Sequence, residues 1–400
     1  MRTLIMKMNR KWKRLPVLVL FIALFILFAI RVNEVEKVEL ISRQGQTFER
    51  GVVTKVLQDN LEADGSRVGE QVVMVKMLTG VKKGREIQTT SSAGYLFGAP
   101  CEVGTRVIVM QSVAGESVIT SVYSPDREWV IYLFAGIYLA ALCLIGGRKG
   151  VRGAAALVFT VFVLIAIELP LLYRGYSPVM VSVAVCALTT LVTMYFIGGF
   201  TKKTMIATAG TLAGVVTAAL FAKAYSVCTG ISGWNVSDIE SLLTLWETNG
   251  IQVGQLLFSG LLISSLGATM DVAMSVASAM QEIRTADPDI TRGGLWKAGF
   301  RLGRDMMGTD SNTLILAFAG GSLSTLLLDY SYDLPWRQII NSNNIGISLM
   351  EGLAGSFGVV MAVPFTVTLA AFVYGRSRRK VISPSEAKRK VTRLFPRGIA

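Results

Sequence analysis

One long apolar stretch of the chain, Ile251–Ala279, carries a regular line of small and polar side chains that continues just beyond it. Successive members are three or four residues apart: Gly260, Ser264, Gly267, Asp271, Ser275, Ser278 and Glu282. Because an α-helix turns once in about 3.6 residues, this spacing places all seven on one helical face. A carboxylate at the centre of a membrane helix costs roughly 2.5–3.5 kcal/mol, so Asp271 is expected to face water, an ion or protein. The alternative interpretation is a packing seam between helices, which the same pattern would also produce.

A second polar face lies downstream, in the segment Gly299–Phe318. Asp305, Thr309 and Asn312 are spaced by four and three residues, so a helix would present them on one side. Carboxylate, hydroxyl and amide oxygens are the ligands that hard cations prefer. The predicted site for a substrate or an ion therefore consists of Asp271, Ser275, Asp305, Thr309 and Asn312.

The same segment permits a purely structural interpretation. Arg301 and Arg304 are placed to neutralise Asp271 and Asp305 in an ion-pair network. Gly308 is also a point at which a helix could end, which would make a re-entrant hairpin leading into the next apolar run. These alternatives stay open at the level of the sequence.

Three further ionisable residues lie within apolar runs, namely Glu168, Lys223 and Glu351. Ionisable residues inside membrane helices usually face protein or water and tend to pair with one another. The sequence therefore suggests an outer polar cluster of Glu168, Lys223 and Glu351. For Lys223 the alternative is snorkelling, in which a long side chain carries its charge to the interface without a partner.

The elements that must position these residues are long apolar runs, of which the chain has eight. They are Leu15–Ile30, Val130–Ile145, Ala154–Leu172, Val179–Ile197, Met205–Val227, Ile251–Ala279, Thr313–Leu328 and Ile347–Tyr374. Most approach or exceed the ~20 residues that a helix needs to cross the hydrocarbon of a bilayer. With 52% hydrophobic and 17% charged residues, the composition is that of a membrane protein. The predicted fold class is an α-helical polytopic membrane protein with eight transmembrane helices.

The net charge of +13 is concentrated in the two tails and in alternate short loops. Basic residues crowd positions 1–14, 146–153, 202–203, 281–304 and 376–397, whereas the short loops between them hold almost none. This is the positive-inside pattern, and it predicts that both termini are cytoplasmic (N-in, C-in). The excess positive charge is explained by this topology and by attraction to anionic lipid headgroups. We therefore expect the lipid bilayer as a partner and no nucleic acid.

Some kinds of chemistry are excluded by residues that the chain lacks. It contains no histidine, which excludes histidine-based catalysis and histidine metal sites. Its four cysteines lack metal-ligand spacing, although a disulfide between Cys101 and Cys228 stays open. The Gly-x-Gly-Asp signature of an intramembrane aspartyl hydrolase and a nucleotide-binding loop are both missing. We therefore expect a protein that is not an enzyme, with no catalytic residues, cofactor or bound metal.

The hydrophilic stretch between the first two runs has the pattern of a β domain. Short segments of alternating apolar and polar residues recur in residues 33–128, separated by turn signals such as Lys83-Gly84. Five or six short strands predict a small all-β barrel of the OB or SH3 kind, placed outside the cytoplasm. A stabilising cap is the simpler role for it, and ligand binding is the alternative. The predicted domains are a basic tail (1–14), a signal-anchor helix (15–32), this extracytoplasmic β domain (33–128), a seven-helix membrane domain (129–376) and a second basic tail (377–400).

Three segments of this chain form a specific set in a fixed order: Gly267–Ser278, Gly303–Gly308 and Asn312–Ala317. Together they resemble the YibE/F-like family of bacterial membrane proteins. The resemblance extends from the signal anchor through the β domain to the eighth run, with one departure at Asp310-Ser311, where a less acidic pair is expected. It implies a multi-pass protein of the bacterial cytoplasmic membrane and supports the choice of Asp271 and Asp305. Transport is the activity that the resemblance suggests.

Two functions of different classes follow from these observations. In the first, the chain is a secondary transporter or permease for a cation or small solute, using the acidic and hydroxyl residues of the sixth and seventh runs. In the second, it is a non-transporting scaffold or sensor whose β domain binds a partner in the envelope. We prefer the first because three of its features are typical of transporters. These are buried acids, small-residue helix faces that allow close packing, such as Gly210-x-x-x-Gly214, and helices that Pro170 and Pro364 are expected to kink. The oligomeric state, a homo-oligomer included, is left open.

Overall fold

The computed structural model describes residues 25–35, 46–63, 66–92, 98–114, 117–236 and 239–375. The chain divides into two compact units, one formed by Lys37–Gly147 and the other by Met1–Glu36 with Arg148–Ala400. The two predicted basic tails and most of the signal-anchor run lie outside the described residues.

The unit Lys37–Gly147 contains a small β-barrel, as predicted. Its strands are β1 (Gln46–Gln58), β2 (Glu70–Met77), β3 (Glu86–Ser92), β4 (Arg106–Ala114) and β5 (Ser117–Pro125). They close into a barrel in the order β1-β2-β3-β5-β4. The pairing of β3 with β5 is parallel, and the other four pairs are antiparallel. Five strands with this crossover correspond to the OB kind of barrel.

Alternation along the strands supplies the core of the barrel. The side chains that point inward, each at most 3% exposed, include Val53, Val73, Val75, Met77, Val107, Val109 and Val122. A Cβ atom built on Gly51 would lie 2.3 Å from Val75 Cγ1. Strand β1 therefore requires a glycine at this close contact with β2.

A buried glutamine ties the segment between β3 and β4 to the barrel core. The side-chain amide of Gln71, on β2, donates to Asp59 Oδ1 at 2.8 Å and to the Cys101 carbonyl at 3.2 Å, and its oxygen accepts from the Cys101 N–H at 2.8 Å. The hydrogen bond from Gln71, aided by the Asn60 N–H and Arg67, lowers the pKa of Asp59 against the opposing effect of burial. Ionised Asp59 therefore stabilises the folded state above the ordinary carboxyl pKa, and this contribution is lost as the pH falls through the lowered value.

We expect Gln71→Met to loosen the barrel, although the substitution roughly preserves side-chain volume. It leaves the N–H and carbonyl of Cys101 buried without their partner, which costs about 2–3 kcal/mol. In the full-length protein, amide hydrogen exchange of β2 and β4 should accelerate by about 30–150-fold, the factor that this free energy implies. Gln88→Met, at an exposed position of β3, is the matched control. Equal exchange in the two variants would contradict the role given to Gln71.

The helices, in chain order, have the following bounds. They are α1 (25–33), α2 (Glu128–Val163), α3 (Leu169–Tyr173), α4 (Pro178–Gly198), α5 (Lys202–Thr229), α6 (Ile239–Asn249), α7 (Val253–Ala286), α8 (Arg292–Gly321), α9 (Leu323–Ser331), α10 (Trp336–Ile340) and α11 (Asn343–Tyr374). A π-helical turn, Leu164–Glu168, joins α2 to α3, and a 3₁₀ turn, Gly233–Asn235, follows α5. Within α2, Gly147 has non-helical backbone angles (φ 53°, ψ −133°) and marks the boundary between the two units.

Several helix starts are fixed by side-chain caps. Thr201, Thr291 and Ser342 precede α5, α8 and α11, and each hydroxyl accepts a hydrogen bond from the backbone N–H three residues later. Such caps satisfy N–H groups that have no partner within the helix. At the other end of α5, Gly230 adopts the left-handed conformation (φ 75°) that ends helices.

Close contacts between α5, α7 and α11 form the centre of the helical unit. A Cβ atom on Gly210 would lie 1.9 Å from Thr366 Oγ1, and one on Gly214 would lie 2.5 Å from Thr269 Cγ2 and 2.8 Å from the Gly358 carbonyl. Buried aliphatic side chains of α4, α7, α8 and α11 surround these contacts. The small residues of the fifth and eighth runs are therefore packing positions, as is usual where membrane helices approach closely.

One alternative considered from the sequence is wrong. Helix α8 continues through Gly308, so there is no re-entrant hairpin at that residue. The chain bends instead between α8 and α9, by 56°, within the seventh apolar run. Beside this bend the hydroxyl groups of Ser322 and Ser348 lie 2.6 Å apart and form a hydrogen bond.

Among the described residues, five helical segments are long and apolar enough to cross a membrane, or six if α8 and α9 form one bent span. One of these segments, Glu128–Tyr173, is 46 residues long and contains both the second and the third apolar runs. The described helices are those of a multi-pass, membrane-embedded protein. The figure of eight spans stays a prediction.

Candidate functional site

The polar line of α7 lies on the side of the helix that faces away from the core. Gly260, Ser264, Gly267, Asp271, Ser275 and Glu282 are exposed, and Ser278 is half-buried. The opposite side is buried and contributes Leu261, Leu262, Val272, Val276 and Met280 to the core. A Cβ atom on Gly260 or Gly267 would meet nothing within 4 Å. This face therefore does not form a packing seam with any other helix in the described part of the chain.

Asp271 interacts electrostatically with Asp310, an acidic residue of α8. Ser275 lies one turn further along α7 and is exposed, whereas Asp310 is half-buried. Two carboxylates on neighbouring helices repel each other unless a cation or a proton lies between them. No described interaction joins Asp271 to the predicted partner Asp305.

The remaining predicted site residues lie on the exposed side of α8. Asp305, Thr309 and Asn312 are all exposed, and the Thr309 hydroxyl donates to the backbone carbonyl of Asp305 at 3.3 Å. They share one helical face, as their spacing predicted. No described contact connects their side chains to Asp271 or Ser275.

The structural alternative of an ion-pair network is not observed in the described part of the chain. None of its ion pairs includes Arg301, Arg304 or Asp305. The Arg304 guanidinium instead lies over the Phe300 ring, 5.4 Å from its centroid. The acidic residues of this face are therefore not neutralised by the nearby arginines.

A second polar site is centred on Glu168, at the end of the π-helical turn. This side chain is 2% exposed. The hydroxyl of Ser182, on α4, donates to Glu168 Oε1 at 2.5 Å, and that of Ser259, on α7, donates to the same oxygen at 3.3 Å. The two serine oxygens are also in hydrogen-bond contact with each other. Glu168 is thus held by hydroxyl groups from two other helices.

The other two members of the suggested outer cluster are placed differently. Lys223 is exposed, with its ammonium 6.0 Å from the centroid of the Phe258 ring. Glu351 is half-buried, two turns into α11. None of the described contacts joins Lys223 or Glu351 to Glu168, and of the three only Glu168 has a side-chain hydrogen bond to another described residue. Snorkelling agrees with the position of Lys223.

Sequence reasoning did not identify Ser182, Ser259 or Asp310 as site residues. A partial signal was present for the serines, because Ser182 and Cys186, like Gln255 and Ser259, are four residues apart and share a helical face. Spacing identifies such a face but does not say which helix it contacts. Within the described residues, no group of three or more histidine, cysteine or acidic side chains is arranged to hold a metal ion. All four cysteines are free, and Cys101 is buried.

The sequence matches the family described as YibE/F-like protein over residues 134–376, which is more than half of the chain. The matched region contains both acidic faces and the Glu168 site. The match begins at residue 134, after α1 and the barrel, whereas the resemblance was expected to extend from the signal anchor. No curated protein and no solved structure matches the chain. The matched region is the helical one, and on this ground the chain belongs to the YibE/F-like family.

Proposed function

We propose that the chain is a secondary transporter or permease for a cation or small solute. The observation that carries this proposal is the outward polar face of α7, on which Asp271 interacts with Asp310 of α8. Asp271 lies near the middle of the 34-residue α7, at a distance from both helix ends. Asp271 and Asp310 would then lie at a depth in the bilayer where lipid would otherwise surround them.

The cost of exposure to lipid argues for water or a solute beside this face. A charged side chain at the centre of a bilayer costs roughly 2.5–3.5 kcal/mol, and two neighbouring carboxylates repel each other in addition. Polar residues at such depth are typically found along substrate and ion pathways. A cation between Asp271 and Asp310 would remove the repulsion, and the hydroxyl group of Ser275, one turn from Asp271 on α7, would line the path.

The proposed topology has eight spans with both termini in the cytoplasm and the barrel outside. The stretch Glu128–Tyr173 supports it, because 46 residues of straight helix would extend for about 69 Å, more than twice the ~30 Å hydrocarbon core. Two crossings that meet near Gly147 would account for this length. The basic residues Arg148, Lys149 and Arg152 adjoin that point, as the positive-inside rule requires of a cytoplasmic turn.

We expect purified full-length protein to be stabilised against heat by a specific cation, and Asp271→Asn to lose this effect. A ligand that binds the folded state adds about 2.7 kcal/mol of stability at a hundredfold excess over its dissociation constant. The measurement is the unfolding temperature in detergent across a panel of alkali, alkaline-earth and organic cations. Flux of the cation that stabilises would then be followed in proteoliposomes.

Glu282→Gln is the matched control, because Glu282 lies on the same exposed face of α7 but at its end. It should keep the cation-dependent shift. A shift that survives in Asp271→Asn would refute the assignment of Asp271. If no cation or solute changes the unfolding temperature and no flux is found, the scaffold or sensor alternative is favoured, and partners of the barrel become the next target.

A further inference from the structure

Glu168 lies in a setting that is unusual for a carboxyl group. Glu168, Ser182 and Ser259 are respectively 2%, 0% and 3% exposed, and each comes from a different helical element. Glu168 ends a π-helical turn, Leu164–Glu168, which is immediately followed by Leu169-Pro170. Such turns interrupt the regular hydrogen bonding of a helix and occur frequently at functional sites.

A proton on Glu168 would complete the hydrogen bonding of this cluster. The three groups make three oxygen–oxygen contacts: Ser182 with Glu168, Ser259 with Glu168, and Ser182 with Ser259. The two serine hydroxyls supply one hydrogen each, so with an ionised carboxylate one of these hydrogens has to be shared between two acceptors or one contact has none. A proton on the carboxyl group supplies a third hydrogen and closes a ring of three hydrogen bonds.

We infer that Glu168, together with Ser182 and Ser259, is a site that binds and releases a proton. The neutral acid fits the buried cluster, since an isolated ionised carboxylate is costly in apolar surroundings. Release is possible because both serine hydroxyls can then turn to donate to the carboxylate. This inference does not rest on the proposed function, and it concerns a site separate from Asp271 and Asp310.

The charged and titratable groups near Glu168 do not offer it a counter-ion. Cys186, one turn from Ser182 on α4, is the titratable neighbour with which Glu168 interacts electrostatically. Arg174, beyond α3, donates to the backbone carbonyls of Arg31 and Glu34, and Arg31 is paired with the Glu34 carboxylate. No ion pair of the described residues includes Glu168.

A group of hydrogen-bonded polar residues lies near the start of α7. Gln252 donates to the Gly175 carbonyl at 3.3 Å, and Gln255 donates to Gln252 at 2.8 Å. Ser177 in turn donates to Gln255 at 2.7 Å. Gln255 is one helical turn from Ser259 on α7, and no described hydrogen bond joins this group to the Glu168 cluster.

The geometry favours a proton over a metal cation. Around a hard cation bound at 2.3–2.6 Å, neighbouring oxygen ligands are roughly 3.3 Å or more apart, and six or more ligands are typical for Ca²⁺. Here Ser182 Oγ and Glu168 Oε1 are 2.5 Å apart, and three side-chain oxygens make the described contacts. The oxygens are hydrogen-bonded to one another, which leaves no space for a metal ion between them.

The test is infrared difference spectroscopy of the full-length protein in lipid, with ¹³C-labelled glutamate as the probe and the pH as the variable. A protonated carboxyl group has a C=O stretching band that ionisation removes and that the label shifts. We expect a glutamic acid band that disappears reversibly as the pH rises and is absent from Glu168→Gln. Glu351→Gln is the matched control and should keep the band.

Ser182→Ala and Ser259→Ala provide a test if Glu168→Gln does not fold. Each keeps the carboxyl group but removes one hydrogen bond, so the frequency of the band should shift in both. Three results would overturn the inference: a band that persists in Glu168→Gln, a glutamic acid band that is absent or unchanged over the whole pH range, or a band that responds to Na⁺ at constant pH. Failure of the cation-binding experiment on Asp271 would leave all these readouts unaffected.

Discussion

Gly214→Leu is expected to separate the helices at the centre of the helical unit and to destabilise the folded protein by about 3 kcal/mol or more. Even a single Cβ atom on Gly214 would lie 2.5 Å from Thr269 Cγ2 of α7, 2.8 Å from the Gly358 carbonyl of α11 and 3.0 Å from Ala362 Cβ. One of these neighbours is backbone, which cannot rotate away as a flexible side chain can. Leucine adds three further carbon atoms to the same space, so α5 must move away from both α7 and α11.

The measurement is the unfolding temperature of the purified full-length variant, together with the fraction that elutes as a single species from size-exclusion chromatography. Gly260→Leu is the matched control, since it is also a glycine inside a membrane helix but has no atom within 4 Å of its Cβ position. The control should unfold near the wild-type temperature. Wild-type stability of Gly214→Leu would show that α5 does not approach α11 as closely as described.

The sequence allowed both this packing and the barrel to be predicted, because each depends on a local pattern. Glycines four residues apart in an apolar run indicate close approach of two helices, and Gly210 and Gly214 do contact α11. Alternation with period two indicates a strand with one buried side, and the five or six short strands predicted within residues 33–128 correspond to the five strands β1 to β5. In both cases the residue types and their spacing indicate whether a side of the helix or strand is buried and how closely its neighbour packs.

The partner of Asp271 could not be predicted in the same way. Asp305 and Asp310 are five residues apart on α8, which places them about 140° apart around the helix, so the two do not face the same neighbour. Which of them faces α7 depends on the rotation of α8 about its own axis. That rotation is set by the packing of Gly299 against Met280 and of Gly303 against Val363, and these contacts are not visible in the spacing of the acidic residues.

The sequence also could not show whether the polar face of α7 points toward the helical core or away from it. Periodicity shows that Gly260, Asp271 and Ser275 share one side of a helix, but a packing seam and a solvent-lined path produce the same period. The difference lies in what stands opposite, and no described atom approaches within 4 Å of a Cβ at Gly260 or Gly267. Glu168 illustrates the reverse case, since its two partners lie 14 and 91 residues away in sequence.

Gly303→Leu is expected to impair the acidic site without changing any of its polar residues. A Cβ atom on Gly303 would lie 2.3 Å from Val363 Cγ1, and the β-branched valine has little freedom to turn away inside α11. Helix α8 must therefore shift outward, at a cost of about 1–3 kcal/mol for the overpacked contact. Asp310 is seven residues later, two turns along nearly the same side of α8, so the shift should move it relative to Asp271.

Two quantities test this expectation in the same purified protein. The unfolding temperature should fall, and the cation-dependent rise in that temperature should fall with it, although Asp271 and Asp310 are both present. Gly308→Leu is the matched control on the same helix, because a Cβ at Gly308 meets nothing within 4 Å. Should Gly303→Leu lose stability but keep the full cation effect, the site would not depend on how α8 is placed, and Asp271 would have to act without Asp310. Loss of both effects would instead show that the glycine contact between α8 and α11 positions the second carboxylate of the site.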